Sequence, residues 1–160
     1  MFTINTDRCI KMNIGDDVQF PLFLNNGTRS NPVRYEFEKD DGCEVYFYIL
    51  SVNGCYDNFI LKKTFNTNGT ITTEKGNSDE IEEYQVDSII NDNKDIVITL
   101  DSSDTIDLCP NEYIYVVRAK ILTEKINSKN IVKNNEYTTI QITNRYYFYL
   151  LDDNINRAEG

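Results

Sequence analysis

The side chains able to do chemistry are unevenly supplied in this chain. Among its 160 residues there is no His, which removes the commonest general acid–base and the commonest metal ligand. Cys9, Cys43, Cys55 and Cys109 contain no C-x-x-C pair, so a four-thiolate zinc site lacks its knuckles. Free cysteines of this kind read as reduced, small and mostly buried residues. A Cys43–Cys55 bridge is the one pairing the spacing makes attractive. Carboxylates cluster at Asp16-Asp17, Asp40-Asp41, Glu80 to Glu83, Asp101 to Asp107 and Asp152-Asp153. A calcium loop needs spaced oxygen ligands and a turn-forming Gly. Asn91-Asp92-Asn93-Lys94-Asp95 has the oxygens but sets Lys94 among them. Ser102 and Ser103 have no His to activate them, and no Gly-rich phosphate loop is present. The sequence thus points away from an enzyme and implies no cofactor and no metal. A small acidic hydrolase with two carboxylates facing across a cleft is the catalytic reading left open.

Charge narrows the partners. Sixteen Lys and Arg face 26 Asp and Glu, a formal net charge of -10. Such a surface repels phosphate backbones and anionic lipid, so no nucleic acid and no membrane is expected as a partner. No apolar run reaches the ~20 residues that span a bilayer. The first residues lack the pattern of a secretory signal, which suggests a protein assembled in a cytoplasm.

Twenty Asn, 19 Ile and only two Ala favour strands and turns over helices. Period-two alternation runs along the chain. It predicts strands at Cys9–Ile14, Asp17–Phe23, Val33–Glu38, Glu44–Leu50, Asn58–Phe65, Asp95–Leu100, Asn111–Leu122 and Glu136–Leu151, the last with a bulge near Asn144-Arg145. Pro21 cannot donate to a ladder, so its strand belongs at an edge or carries a bulge. Residues 66–83 are polar and turn-rich and read as a long mobile excursion. Glu80–Ile90 fits a capped helix or a strand from Tyr84 to Ile90. Thr123–Asn135 reads as a hairpin loop. The expected organisation is a single domain over residues 1–151 and a polar tail over 152–160. The fold class is all-β, an immunoglobulin-like antiparallel β-sandwich with long loops and polar termini.

The most specific segment lies between Leu100 and Val116. A strand ends, Asp101 can cap a helical turn, and Leu108-x-Pro110 leads into a strand that opens on Tyr113. In immunoglobulin-type sandwiches a Tyr at this corner ties back to the backbone upstream. Leu108 would plug the core, Pro110 would fix the turn and Tyr113 would bond the corner. A plain hairpin is the alternative.

Gly15-Asp16-Asp17-x-x-Phe20-Pro21-Leu22-Phe23, Val33-Arg34-Tyr35, Glu44-Val45-Tyr46-Phe47, Lys62-Lys63-Thr64-Phe65, Ile96 to Leu100 and Asp104-Thr105-x-x-Leu108-x-Pro110-x-x-Tyr113-x-Tyr115 resemble segments of small β-sandwich proteins of tailed bacteriophages. The likeness is to the N-terminal domain of the phage baseplate upper protein and related short virion proteins, and it runs from about Ile10 to Tyr149. The resemblance implies a structural protein of the virion, in baseplate, tail, neck or capsid surface. Its partners would be other virion proteins and copies of itself. The apolar run Tyr146-Tyr147-Phe148-Tyr149 is the candidate interface, because Tyr is enriched where subunits meet; a strand buried on both faces is the other reading. A carbohydrate- or receptor-binding module working through Tyr56 and Phe59 is the alternative function.

Overall fold

The computed structural model describes residues 3–4, 8–22, 24, 30–31, 35–127 and 130–152, with side chains over 8–22, 24, 30–31, 35–122 and 137–152. Besides a 3-10 turn at Tyr56–Asn58, eleven strands and one short α-helix are present among them. They are β1 (Thr3–Ile4), β2 (Ile10–Asn13), β3 (Val18–Leu22), β4 (Glu44–Leu50), β5 (Leu61–Asn66), β6 (Thr70–Lys75), β7 (Ile81–Gln85), β8 (Ile96–Leu100), α1 (Ser102–Thr105), β9 (Asn111–Asn127), β10 (Asn130–Gln141) and β11 (Tyr146–Leu151). The chain is all-β. No helix of the described residues is long and apolar enough to cross a membrane.

The strands form two layers of unequal size. The large sheet runs β1-β2-β11-β9-β4-β5-β6-β7, with β10 added along the far end of β9. The small sheet is the antiparallel pair β3–β8. Alternation decides which side chains meet between the layers. Val45, Phe47 and Ile49 of β4, Tyr113, Tyr115 and Val117 of β9, and Phe148 and Leu150 of β11 point inward. They join Val18, Leu22, Ile96, Ile98 and Leu100 of the small sheet in one buried cluster. At its centre the ring of Phe47 lies 5.7 Å from Tyr115, nearly parallel at 18°. The ring of Phe20 meets Phe47 edge-on at 6.4 Å.

Four sequence expectations are corrected. The sandwich is not wholly antiparallel, because β11 pairs β2 in parallel, with Phe148 opposite Ile10 and Leu150 opposite Met12. Residues 66–83 are not an open excursion. Thr70–Lys75 and Ile81–Gln85 extend the large sheet by two strands, since β-branched Thr fits a pleated surface without apolar alternation. The β5–β6 turn that starts this extension needs Gly69, which holds φ +95° and whose missing Cβ would lie 2.3 Å from the Val86 carbonyl oxygen. The hairpin loop expected over Thr123–Asn135 is mostly ladder, as β9 continues to Asn127 and β10 begins at Asn130. The last expected strand divides at Ile142–Arg145, where the register against β9 shifts.

Two smaller expectations also change. Tyr35–Glu38 is extended without joining a sheet; the Phe37 amide bonds the Lys94 carbonyl instead. Cys43 and Cys55 flank opposite ends of β4 and are free, as are Cys9 and Cys109. Only Cys9 and Cys43 are buried. Burial, with smaller contributions from neighbours, pushes the Cys43 thiol above its ordinary pKa.

Lys63, Asp95 and Asp104 are the buried charged residues among those described. Alternation along β5 turns Leu61, Lys63 and Phe65 to the core, and Lys63 is fully buried. Its ammonium donates to Asp104 Oδ2 at 2.6 Å and to the Thr99 carbonyl at 2.8 Å. Asp101 stands 3.6 Å away. Asp104 Oδ2 also accepts from the Asp101 amide at 2.7 Å, completing the cap of α1. Thr105, buried on the same turn, accepts from the Gly15 amide at 3.0 Å. A buried ion pair adds little over apolar residues, yet losing one member is costly because the other charge stays buried. Asp104→Ala is therefore expected to lower unfolding free energy by about 3–5 kcal/mol. Lys63→Met should cost less, since Asp104 keeps the Asp101 amide and the side-chain volume is preserved. Urea denaturation of both variants checks the order.

Candidate interaction face

The crossover from the small to the large sheet is built at Asp101–Asn111. β8 ends, α1 turns, the Leu108 amide bonds the Thr105 carbonyl, and β9 begins. Leu108 packs half-buried against the core cluster, while Pro110 is exposed. The hydroxyl of Tyr113, with its ring buried, donates to the Cys109 carbonyl at 2.7 Å. Two residues on, Tyr115 donates to the Arg8 carbonyl at 2.6 Å. The two phenols thus fix the first turn of β9 at both its sheet change and its N-terminal neighbour.

The second set of sequence candidates is divided by the pleat. Tyr146 and Phe148 face the core, with Phe148 fully buried. Tyr147 and Tyr149 face outward and stack on each other, with centroids 5.8 Å apart and planes at 23°. Tyr147 is 41% exposed and Leu151, on the same face, 47%. Neither reading of the run is complete. β11 is central by pairing, between β2 and β9, but buried on one face only.

The register continues this outer face across the sheet. Tyr147 stands opposite Ile114, and Ile114 opposite Leu50. Next come Val116, Tyr48 and Lys62, then Arg118 and Tyr46. The β4–β5 connection folds back over the middle of this grid, so that Tyr56 and Phe59 meet Tyr48 edge-on at 5.0 and 6.3 Å. That makes a second small apolar cluster around Leu50, Ile114 and Val116. The connection is held down at its ends: Tyr56 donates to Gln141 at 3.0 Å and Arg145 to the Gly54 carbonyl at 2.7 Å.

Cations lie over the outer rings. Lys11 is 5.6 Å from the Tyr149 centroid, Lys62 5.3 Å from Tyr46, and Arg118 4.7 Å from Tyr56. Each such contact contributes about 0.5–1 kcal/mol at an exposed site. Tyr56 thus has Tyr48 at its side and a guanidinium near its ring, and Phe59 packs on the same Tyr48. On β11 the outward strip is Tyr147 and Leu151, exposed, with Tyr149 half-buried between them and Lys11 over its ring.

A cavity of about 320 Å³ opens where the β4–β5 connection, the β6–β7 turn and the crossover meet, lined by Phe59, Lys75, Asp107 and Leu108 among others. Its ammonium is already used: Lys75 donates to the Ser103 carbonyl at 2.7 Å and to Asp107 at 3.1 Å. Among the described residues no three His, Cys, Asp or Glu side chains converge to hold a metal. No family model, curated protein or solved structure matches the chain.

The sequence pointed to Tyr146–Tyr149 but missed Tyr46, Tyr48, Lys62 and Arg118 as parts of one surface. Their common parity within β4, β5 and β9 was available as a signal; which strands adjoin was not.

Several phenols titrate late. Burial first, then the carboxylate of Glu44, to which Tyr46 donates at 2.8 Å, holds the Tyr46 phenol well above its ordinary pKa. Burial and Asp101 do the same for Tyr84, and burial and Cys43 for Tyr35. Tyr113 is raised chiefly by burial. A phenol whose folded pKa exceeds its unfolded value, about 10, favours the fold fully below that pH. This contribution is lost as pH rises toward the folded pKa. Ultraviolet titration should therefore show a late-ionising class of phenols in the native protein that merges with the rest on denaturation. Tyr46→Phe should remove one member of that class.

Proposed function

We propose that the chain is a non-enzymatic, immunoglobulin-like building block of a tailed-phage virion, held by neighbouring proteins through the outer face of its large sheet. The carrying observation is the outward strip of β11, with Tyr147 and Leu151 exposed and Tyr149 half-buried between them, on a strand paired on both sides. It offers wide, stiff aromatic area at little entropic cost, as interface anchors do.

The strand order supports the immunoglobulin-like part. The sequence β11-β9-β4-β5-β6 in one sheet, against β3 and β8 in the other, matches the G-F-C-C′-C″ order that variable-type domains set against their B and E strands. The Tyr113 hydroxyl bonds upstream at the start of β9, as the tyrosine of that corner does. Antibody domains fill the centre with a Trp against an inter-sheet disulfide, whose second Cys follows the corner Tyr by two. This chain has Tyr115 at that spacing, stacked on Phe47 with Phe20 beyond. Three rings replace the Cys-Trp-Cys core, which suits a chain whose four cysteines are free.

The virion setting is supported by the segment resemblance from Ile10 to Tyr149. Absence of His from the sequence and the prior pairing of the polar groups around the cavity favour a binding role over catalysis.

Proteomics of purified particles of the phage encoding this chain tests the setting. The chain should be present in stoichiometric amount, and its absence would overturn the proposal. Tyr147→Ala with Tyr149→Ala should leave the fold intact by circular dichroism and lower incorporation about tenfold or more, the loss expected for anchor residues. Tyr113→Phe separates the corner from the interface. It should lower stability by about 1 kcal/mol, one hydrogen bond's worth, with incorporation unchanged.

A further inference from the structure

The ion pair inside the sandwich brings together the two halves of an amide bond. Lys63 Nζ lies 2.6 Å from Asp104 Oδ2, and the two side chains are 0% and 3% exposed. The surroundings of the ammonium are largely apolar. Leu61 and Phe65 are buried beside it on β5, and the Phe65 ring centroid is 5.8 Å from Nζ. Buried Phe47 stands opposite Lys63 on β4, and buried Thr73 opposite it on β6. A second carboxylate completes the cluster. Asp101 Oδ2 is 3.6 Å from the same nitrogen, and its side chain is 48% exposed, so it joins the buried pair to solvent. From β7 the Tyr84 hydroxyl donates to that Oδ2 at 3.0 Å and holds it in place.

We propose that Lys63 and Asp104 condense to a side-chain amide, with Asp101 carrying the proton, so that β5 of the large sheet becomes covalently joined to α1 of the crossover. As an ion pair, the two groups stabilise little over apolar residues of the same volume; their chemistry is what sets them apart. An amine and a carboxylate in water stay ionised and do not condense. Held against each other in a site that disfavours charge, they can pass one proton along their hydrogen bond, which presents a neutral amine to a carboxylic acid. Fixed proximity replaces the encounter that a free amine and acid need. The Asp101 amide, 2.7 Å from Asp104 Oδ2, donates to the oxygen that gains negative charge as nitrogen adds to Cγ, as an oxyanion donor does. The bond from Nζ to Cγ forms and the bond from Cγ to the other carboxyl oxygen breaks. Of the three ammonium protons, one stays on the amide nitrogen and two leave with that oxygen as water. Nothing is oxidised or reduced. The Asp101 carboxylate takes a proton from the attacking nitrogen and delivers it to the departing oxygen, general base and then general acid. Its exposed side gives the water a way out. Lys63 and Asp104 are 41 positions apart, so the bond closes a long loop and restricts the unfolded chain, as cross-links do. The bond belongs to the fold and does not depend on the virion reading.

Mass spectrometry of the purified wild-type chain under denaturing conditions tests the bond. The intact mass should fall one water short of the mass of the sequence. Tryptic digestion should give a branched peptide in which Lys63 is acylated by Asp104 and no longer cut. That peptide comes from the wild-type chain alone, so the test survives a variant that fails to fold. Lys63→Met and Asp104→Ala should each restore the full mass. Asp101→Asn should fold, by circular dichroism, and lose water about a hundredfold or more slowly, the contribution of a positioned proton carrier; freshly made, it should have the full mass. A folded wild-type chain of full mass would show an ion pair only and overturns the proposal. A mass short by one water in Lys63→Met as well places the loss elsewhere and overturns it too. Condensation of Asp101→Asn at the wild-type rate supports the bond and overturns the part given to Asp101.

Discussion

The fold depends on one ammonium group that alternation places on the wrong side of a strand for a charge. β5 must turn Leu61 and Phe65 to the core, and Lys63 between them has no other face to take. Its charge is tolerated because the crossover brings Asp104 and the Thr99 carbonyl to it at 2.6 and 2.8 Å. The same carboxylate oxygen caps α1. Thus the large sheet grips, from inside, the segment by which the chain leaves the small sheet. Tyr113 ties that segment again where it enters β9. A loop between two sheets would ordinarily be the most mobile part of a sandwich. Here it is pinned at both ends and joined through Thr105 to the β2–β3 turn at Gly15.

The unequal layers then shape the surface. Two strands in one layer cannot cover nine in the other, so much of the large sheet has to be satisfied in other ways. On its outer face the β4–β5 connection covers Leu50, Ile114 and Val116, and cations cover Tyr46 and Tyr56. β11 lies beyond the reach of that connection. Its outward residues Tyr147, Tyr149 and Leu151 therefore remain exposed or half-exposed, on a strand stiffened by partners on both sides. The site and the fold share a cause: the parallel pairing with β2 that makes β11 internal also presents its outer side chains on a flat, ordered surface.

Much of this was legible in the sequence where local alternation carries the information. The inward sets of β4, β8 and β9 follow from parity, and the crossover follows from a capped turn before Leu108-x-Pro110-x-x-Tyr113. What was not legible has physical reasons. Periodicity says which face a residue takes but not which strand lies beside it, so the parallel β2–β11 pair, between segments far apart in sequence, left no mark. β6 and β7 have polar sequences because one borders the edge and the other forms it, and such strands lack the apolar alternation that betrays buried ones. Parity puts Lys63 on the core face of its strand, but charged side chains are rarely buried without a partner, and nothing near Lys62-Lys63 in sequence names that partner. It is the distant Asp104. The Tyr146–Tyr149 run was seen as one block, although the pleat gives half of it to the core and half to the surface.

Native-state hydrogen exchange at the crossover tests the central claim most directly. The amides of Asp101 and Gly15, which donate to Asp104 and Thr105, should exchange only with global unfolding, at the same free energy as the β4 and β9 amides of the core. Exchange of these two amides at the rate of an open surface turn, with β4 and β9 still protected, would show that the buried ammonium does not hold the two layers together.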